Sequence, residues 1–400
     1  MGAHRLSPAA HAFDFDRIID REHTASVKYD GRKAVFGSDD VLPLWVADMD
    51  FAAPPAVLDA LAARAAHPVY GYTLCPDSAT DALTGWLAER HGWRVARDAV
   101  SMCPGVVPTL YAAVQAFTAP GEGVIVQPPV YPPFFGAIRD SARQLIENPL
   151  VEHDGGYTMD LAHLEKCAAA GAKLLLLCSP HNPVGRVWTR EELDGVLDVA
   201  RRHGLVVLSD EIHADLIHPG EQHIALATLA QHGDRIVTAV APSKTFNVPG
   251  LGLSALVAEQ RERSAIEHVF ARLHVGNGNP FSIAAFEAAY RGGAPWLDAL
   301  MQYVAGTRDK VMAFAHEHLP GIRVVRAQGT YLLWLDCRAL GLDDARLRDF
   351  FVREARVGMN PGISFGTGGS GHMRLNIGAP RAVVRSALER IAAALSPARN

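Results

Sequence analysis

Cysteine is sparse and unpatterned. Among 400 residues there are five, Cys75, Cys103, Cys167, Cys178 and Cys337, odd in number, widely scattered and without a C-x-x-C pair. That usage excludes a disulfide framework and a cysteine-based zinc site, and fits the reduced thiols of a cytoplasmic enzyme. Long apolar runs are also missing. No uninterrupted apolar stretch approaches the ~18 residues that cross a bilayer, and Met1 to Phe15 holds no apolar segment of signal-peptide length. The expectation is a soluble, cytoplasmic chain with no membrane partner. Positive charge is not in excess either: 38 Lys and Arg against 43 Asp and Glu leave a formal charge of -5. That removes the basic footprint of a nucleic-acid binder. The 18 histidines are dispersed. No H-E-x-x-H occurs, and His213 and His218 do not have the i, i+4 spacing of helical metal ligands, so no metal is expected. His316-Glu317-His318 reads as a solvated helix end. There is no internal repeat and no low-complexity tract.

What remains is an ordinary globular composition, 49% hydrophobic and 20% charged, in a chain too long for one core. After a polar arm of about 40 residues, the apolar Val41-Leu42-Pro43-Leu44-Trp45-Val46 and Ala47-Asp48-Met49-Asp50-Phe51 follow. Pro54-Pro55 opens a helical pattern, Tyr70-Gly71-Tyr72 is a turn, and Asp77 is placed to cap a helix carrying Leu83, Trp86 and Leu87. Cys103-Pro104-Gly105-Val106-Val107-Pro108 leads into a helix to Phe117, whose free first-turn amides suit a phosphate. Continuous apolar strands then alternate with helices. They are Gly123 to Val126, Leu174 to Cys178, Leu205 to Ser209, Ile236 to Val240 and Leu253 to Val257, and Thr189 and Glu192 form a capping box on one crossover helix. Such strands predict a mostly parallel sheet covered by helices, an α/β large domain over 51–290. From about Pro295 the pattern changes. A long helix from Trp296 to about Leu319, a strand over Gly329 to Leu335, a helix over Asp344 to Glu354 and a strand over His372 to Ile377 form a smaller α+β domain. That domain takes 1–50 plus 291–400.

Ligands of such sheets sit beyond the carboxyl ends of the strands. Asn182, Asp210 and Lys244 each fall just past a strand end. Lys244, in Ala241-Pro-Ser-Lys-Thr-Phe-Asn247-Val-Pro-Gly250, is placed on an irregular loop, where a lysine can be held neutral and reactive. Two other motifs are refused. Gly362-Ile-Ser-Phe-Gly366 fits G-x-S-x-G, but a glycine loop and then a strand follow it, not the helix of a nucleophile elbow. Gly366, Gly368 and Gly371 fit G-x-G-x-x-G, but no helix opens there. A cofactor with an aldehyde, a phenolic oxygen, a phosphate and a pyridine nitrogen needs a lysine, a carboxylate, a hydrogen-bond donor and a cradle of amides. Lys244, Asp210, Asn182 and Gly105-Val106-Val107 supply them. Ser243 is within reach of the phosphate and Tyr131 of the ring face.

Ser179-Pro-His-Asn182-Pro-Val-Gly185-Arg-Val-Trp188, Ser209-Asp210-Glu-Ile-His213 and Ser243-Lys244-Thr-Phe-Asn247-Val-Pro resemble the fold-type-I pyridoxal-phosphate enzymes. More narrowly the chain resembles the MalY/PatB-type carbon–sulfur β-lyases (cystathionine β-lyase-like), a likeness shared by Asp48-Met-Asp-Phe51, Tyr70-Gly-Tyr72, Ala294-Pro-Trp-Leu297 and Arg374-Leu-Asn376. It covers nearly the whole chain. The resemblance implies pyridoxal 5′-phosphate as cofactor, with Lys244 as its imine anchor and catalytic base. It implies Asp210 on the pyridine nitrogen, Asn182 on the phenolic oxygen and Tyr131 on the ring. Gly105, Val106 and Ser243 would hold the phosphate, with Tyr72 reaching it from the partner subunit of a homodimer. Arg374 would grip the α-carboxylate of a sulfur amino acid, beside Asn182 and the segment near Val46. His213 stands where many aminotransferases carry a tyrosine, three residues after the aspartate, and is placed in the cofactor shell. The activity implied is α,β-elimination to a thiol, pyruvate and ammonia. An aminotransferase shares the early chemistry and is the alternative; a regulatory binding protein on the same fold is a lesser one.

Overall fold

The computed structural model describes residues 13–153, 156–276 and 278–396. The first residues of the expected arm, 1–12, lie outside them, and with them most of the stretch read for a signal peptide. Seven strands form the main sheet: β1 (Val100–Cys103), β2 (Gly123–Val126), β3 (Gln144–Glu147), β4 (Leu174–Cys178), β5 (Val206–Asp210), β6 (Ile236–Val240) and β7 (Ser254–Ala258). Their order is β1-β7-β6-β5-β4-β2-β3. Every neighbouring pair is parallel except the two made by β7, which runs antiparallel to β1 and β6. Strands β4 to β7 are buried along their whole length. That is why they read as unbroken apolar runs: helices cover both faces. The edge strands β1 and β3 are partly exposed. They lack such a run, and the sequence pattern did not assign them.

Helix α1 (Val106–Phe117) starts directly after β1, with Gly105 at its N-cap. Helix α2 (Arg190–His203) begins at the expected capping box, Thr189 with Glu192, and stops at Gly204 in the left-handed region. Its apolar face, Leu193, Val196, Leu197 and Ala200, is buried. Two expectations are corrected. Asp77 does not cap its helix (Asp77–His91): Pro76 is the cap, and the Asp77 carboxylate instead bonds Arg97 at 2.9 Å. Lys244 is not on an irregular loop but in a single helical turn, α3 (Pro242–Thr245). Pro242 at its first position explains the turn, because proline costs nothing where the amide has no helical partner.

The long helix is α4 (Ala294–His318). Beyond it a four-stranded antiparallel sheet contains β8 (Arg323–Val324), β9 (Leu332–Asp336), β10 (Asn360–Pro361) and β11 (His372–Asn376), in the order β8-β9-β11-β10. The expected helix from Asp344 runs to Asp349 and continues as a widened turn to Glu354. The refused G-x-S-x-G segment is a short turn, Gly362–Phe365, with Ser364 donating to the Pro361 carbonyl at 2.7 Å. Among the described residues no helix is long and apolar enough to cross a membrane.

Candidate active site

The carboxyl ends of β4, β5 and β6, the start of α1 and the turn α3 surround one cavity of about 220 Å³. Of the residues singled out from the sequence, Gly105, Val106, Tyr131, Asn182, Asp210, His213, Ser243 and Lys244 line it. Arg374 lies one layer back. Its Nη1 donates to Asn182 Oδ1 at 3.0 Å, and its Nη2 to the Trp45 carbonyl at 2.9 Å and Asn360 Oδ1 at 2.8 Å. Val46 and Tyr72 are not in the wall. Ala47, the neighbour of Val46, is, while Tyr72 stands fully in solvent.

Each ionisable group here sits where water is scarce. Lys244 Nζ donates to the Ala47 carbonyl at 2.7 Å. Burial, and then the nearby Arg374 charge, lower its pKa to about 8. Asp210 ends β5, and the one hydrogen bond to its carboxylate among the described residues comes from the Ile212 amide at 3.1 Å. Burial raises its pKa to about 7. His213 is held neutral, its pKa pushed down to about 3 by burial and by the charges of Lys244 and Arg374. Among the described residues its Nδ1 is buried without a partner, as is Nε of Arg374. Burial also brings the Arg374 guanidinium down to about 10. Helix α1 opens with no side-chain cap among the described residues, and Gly105, Val106 and Val107 at its start line the cavity.

These unsatisfied groups match pyridoxal phosphate piece by piece. A dianionic phosphate fits the amides of α1 beside Ser243. A protonated ring nitrogen would supply the counter-charge that Asp210 lacks, and Lys244 offers an amine of lowered pKa to an aldehyde.

The segment near Val46 belongs to a strap, residues 45–51, that adds Ala47 to the cavity wall; sequence reasoning placed the segment but missed the side chains that hold it. Asn247, two residues past α3, holds it: its Oδ1 accepts from the Met49 amide at 2.9 Å, and its Nδ2 donates to the carbonyls of Met49 at 3.0 Å and Phe51 at 2.8 Å. Asn376 on β11 donates to the Asp48 carbonyl at 2.7 Å, and the Tyr331 hydroxyl to the Ala47 carbonyl at 2.9 Å. Behind the strap, fully buried Lys28 pairs with Asp50 at 2.8 Å, and Arg21 bridges Asp48 and Asp50, both at 2.7 Å. One signal for Asn247 was available. Its φ is +55°, a conformation that asparagine tolerates better than other side chains, and it precedes Val-Pro-Gly.

Three comparisons bear on this geometry. The model of the family "Aminotransferase class I and II" matches residues 39–391. The chain is 43% identical over 386 residues to cystathionine beta-lyase PatB of Bacillus subtilis, covering 96% of this chain and 100% of that one. It is 34% identical over 373 residues to Protein MalY of Escherichia coli, covering 92% and 95%. Among solved structures, cystalysin from Treponema denticola, which contains a pyridoxal 5′-phosphate cofactor, superposes with a TM-score of 0.91 at 37% identity, covering 96% of this chain and 98% of that one. The chain belongs to the aminotransferase class I and II family.

Proposed function

We propose that this member of the family is a pyridoxal-phosphate-dependent carbon–sulfur β-lyase. Its reaction is the α,β-elimination of L-cystathionine or a related cysteine S-conjugate to a thiol, pyruvate and ammonia. The observation that carries the reading is the convergence of Lys244, Asp210 and Asn182 from three adjacent strand ends on one cavity. The relatives named as lyases support elimination over transamination. His213, where many aminotransferases carry tyrosine, agrees with them.

Pyridoxal phosphate, when bound, supplies an electron-withdrawing ring that acidifies the amino-acid Cα. The chain does the rest. The first-turn amides of α1, Gly105, Val106 and Ser243 bind the phosphate. Asp210 keeps the ring nitrogen protonated, Asn182 donates to the phenolic oxygen and Tyr131 packs on the ring. Arg374 presents a planar fork to the substrate carboxylate, with Asn182 and the segment at Val46 beside it. Lys244 anchors the aldehyde. As a free amine its Nζ would serve as the base for the substrate Cα proton and, once protonated, as the donor to the departing sulfur. A pKa near 8 leaves a useful share of the amine in its basic form at neutral pH.

Three finer points belong to the same proposal. Residues 51–290 form the cofactor domain, and 1–50 plus 291–400 the smaller one. The protein works in the cytoplasm as a homodimer. Val69, Tyr70, Tyr72 and Leu74 project apolar surface into solvent, a pattern that marks an interface, and the partner subunit's Tyr72 would reach the phosphate. Incubation with L-cystathionine and no keto acid tests the reaction. The expected result is pyruvate in many-fold excess over enzyme. A strict requirement for an added keto-acid acceptor contradicts it.

A further inference from the structure

A second cavity, of about 560 Å³, adjoins the same stretch of chain. His213 faces the cofactor cavity; Ala214 and Asp215 face this one, with Arg90, His91, His218 and His223. Asp215 gathers three side chains. Trp86 Nε1 donates to it at 2.9 Å, His91 Nε2 lies 2.7 Å from it, and the Thr245 hydroxyl donates to it at 2.9 Å. Burial opposes charge on both members of the His91–Asp215 pair. Their mutual bond outweighs it, so Asp215 stays below the ordinary carboxylate range and His91 above the ordinary imidazole range. Asp215 is therefore a fixed anion. Trp86 and His91 lie on one 15-residue helix, Asp77–His91, whose Leu83, Trp86 and Leu87 are core residues.

Thr245 is the residue after Lys244 and is buried. It ends α3, a turn of four residues whose Pro242 and Ser243 carbonyls accept from Phe246 N at 2.8 Å and Val248 N at 3.0 Å. A helix so short cannot hold its own geometry. We infer that Asp215 is a positioning residue for Lys244: braced by Trp86 and His91, it grips Thr245 and thereby fixes the turn that aims Lys244 Nζ into the cofactor cavity. The bond reaches no reacting atom. Its effect passes through the backbone of α3.

This inference rests on the reading of Lys244 as the imine anchor, and it can fail independently of that reading. Pyridoxal phosphate is held by the cavity and by a covalent bond to Lys244. Pyridoxamine phosphate, an amine in place of the aldehyde, is held by the cavity alone. Dissociation constants of both are measured for the apo forms of the unaltered protein, Thr245→Val and Thr245→Ser, with the melting temperature of each apo form alongside. Thr245→Val keeps the side-chain shape and removes the donor. It is expected to weaken pyridoxal phosphate by about tenfold, the scale of one charge-assisted hydrogen bond, and pyridoxamine phosphate by less than about threefold. Thr245→Ser restores the donor and should bring pyridoxal phosphate back to within about threefold of the unaltered protein. Unchanged pyridoxal phosphate affinity in Thr245→Val overturns the inference. So do equal losses for both ligands with a lowered melting temperature, which mark a structural role only. An unaltered protein that binds neither ligand overturns the cofactor reading itself.

Discussion

The two cavities lined from residues 210–215 treat their carboxylates and cations in opposite ways. In the cavity of Lys244, none of Lys244, Asp210 and Arg374 has an ion-pair partner among the described residues, and burial moves each toward its neutral form. In the neighbouring cavity His91 pairs with Asp215 at 2.7 Å and Arg90 with Asp298 at 2.6 Å, and His223 Nε2 lies 2.9 Å from Glu211; His218 is the exception, its ring nitrogens buried without a partner among the described residues. The contrast separates a site whose buried ions lack ion-pair partners among the described residues from one whose central carboxylate, Asp215, is held by three side chains. Unpaired buried groups cost stability in the free chain, and a ligand that supplies the missing partners returns it through binding. Paired groups contribute to the fold whether or not a ligand is present. Strained or unsatisfied features concentrate where function needs them.

Substitutions can break or sharpen this contrast. The largest effect is expected in the unpaired cavity. Lys244→Ala should lower turnover by roughly a thousandfold or more and abolish the cofactor absorbance that depends on the lysine bond, both read on protein loaded with pyridoxal phosphate. Near-normal turnover would remove Lys244 from its role. Arg374→Lys keeps the charge but cannot reproduce a fork held by Asn182, Trp45 and Asn360. It should lower kcat/KM by about a hundredfold, mostly through KM, in steady-state assays on cystathionine. A loss confined to kcat would point away from carboxylate binding. Far from both cavities, Thr189→Ala removes the capping box of α2. It should cost only about 1 kcal/mol in denaturant unfolding and leave turnover intact.

The parts of the fold legible in the sequence were those whose burial is uniform. Strands β4 to β7 showed themselves as apolar runs because both faces are covered, and α2 through its capping box and Gly204. Edge strands β1 and β3 did not, because half-exposed strands carry mixed side chains. The antiparallel direction of β7 was not legible either, since a buried strand looks the same whichever way it runs. In the site, the residues just past strand ends were found by position in the chain. The bonds that anchor the strap at 45–51 and the Asp215 network were not. Their partners, such as Asn247 with Met49 or Trp86 with Asp215, are 198 and 129 residues apart, and no local pattern joins them.

The contrast between the cavities is tested most directly by the unfolding free energy of two apo variants, Asp210→Asn and Asp215→Asn, measured against pH. A carboxyl whose folded pKa is raised carries no penalty below its unfolded pKa near 3.8 and the full penalty above about 7. Asparagine at 210 keeps an oxygen for the Ile212 amide and sheds that penalty. Asp215, with its pKa lowered in the fold, contributes stability that is present above the unfolded value and lost in acid, and asparagine offers only one oxygen to three donors. At pH 8 the account predicts that Asp210→Asn gains, on the order of a few kcal/mol, and that Asp215→Asn loses; the Asp210 difference shrinks toward pH 4, whereas the Asp215 difference persists there and fades only below the unfolded value near 3.8. A loss for both variants at pH 8 would contradict it.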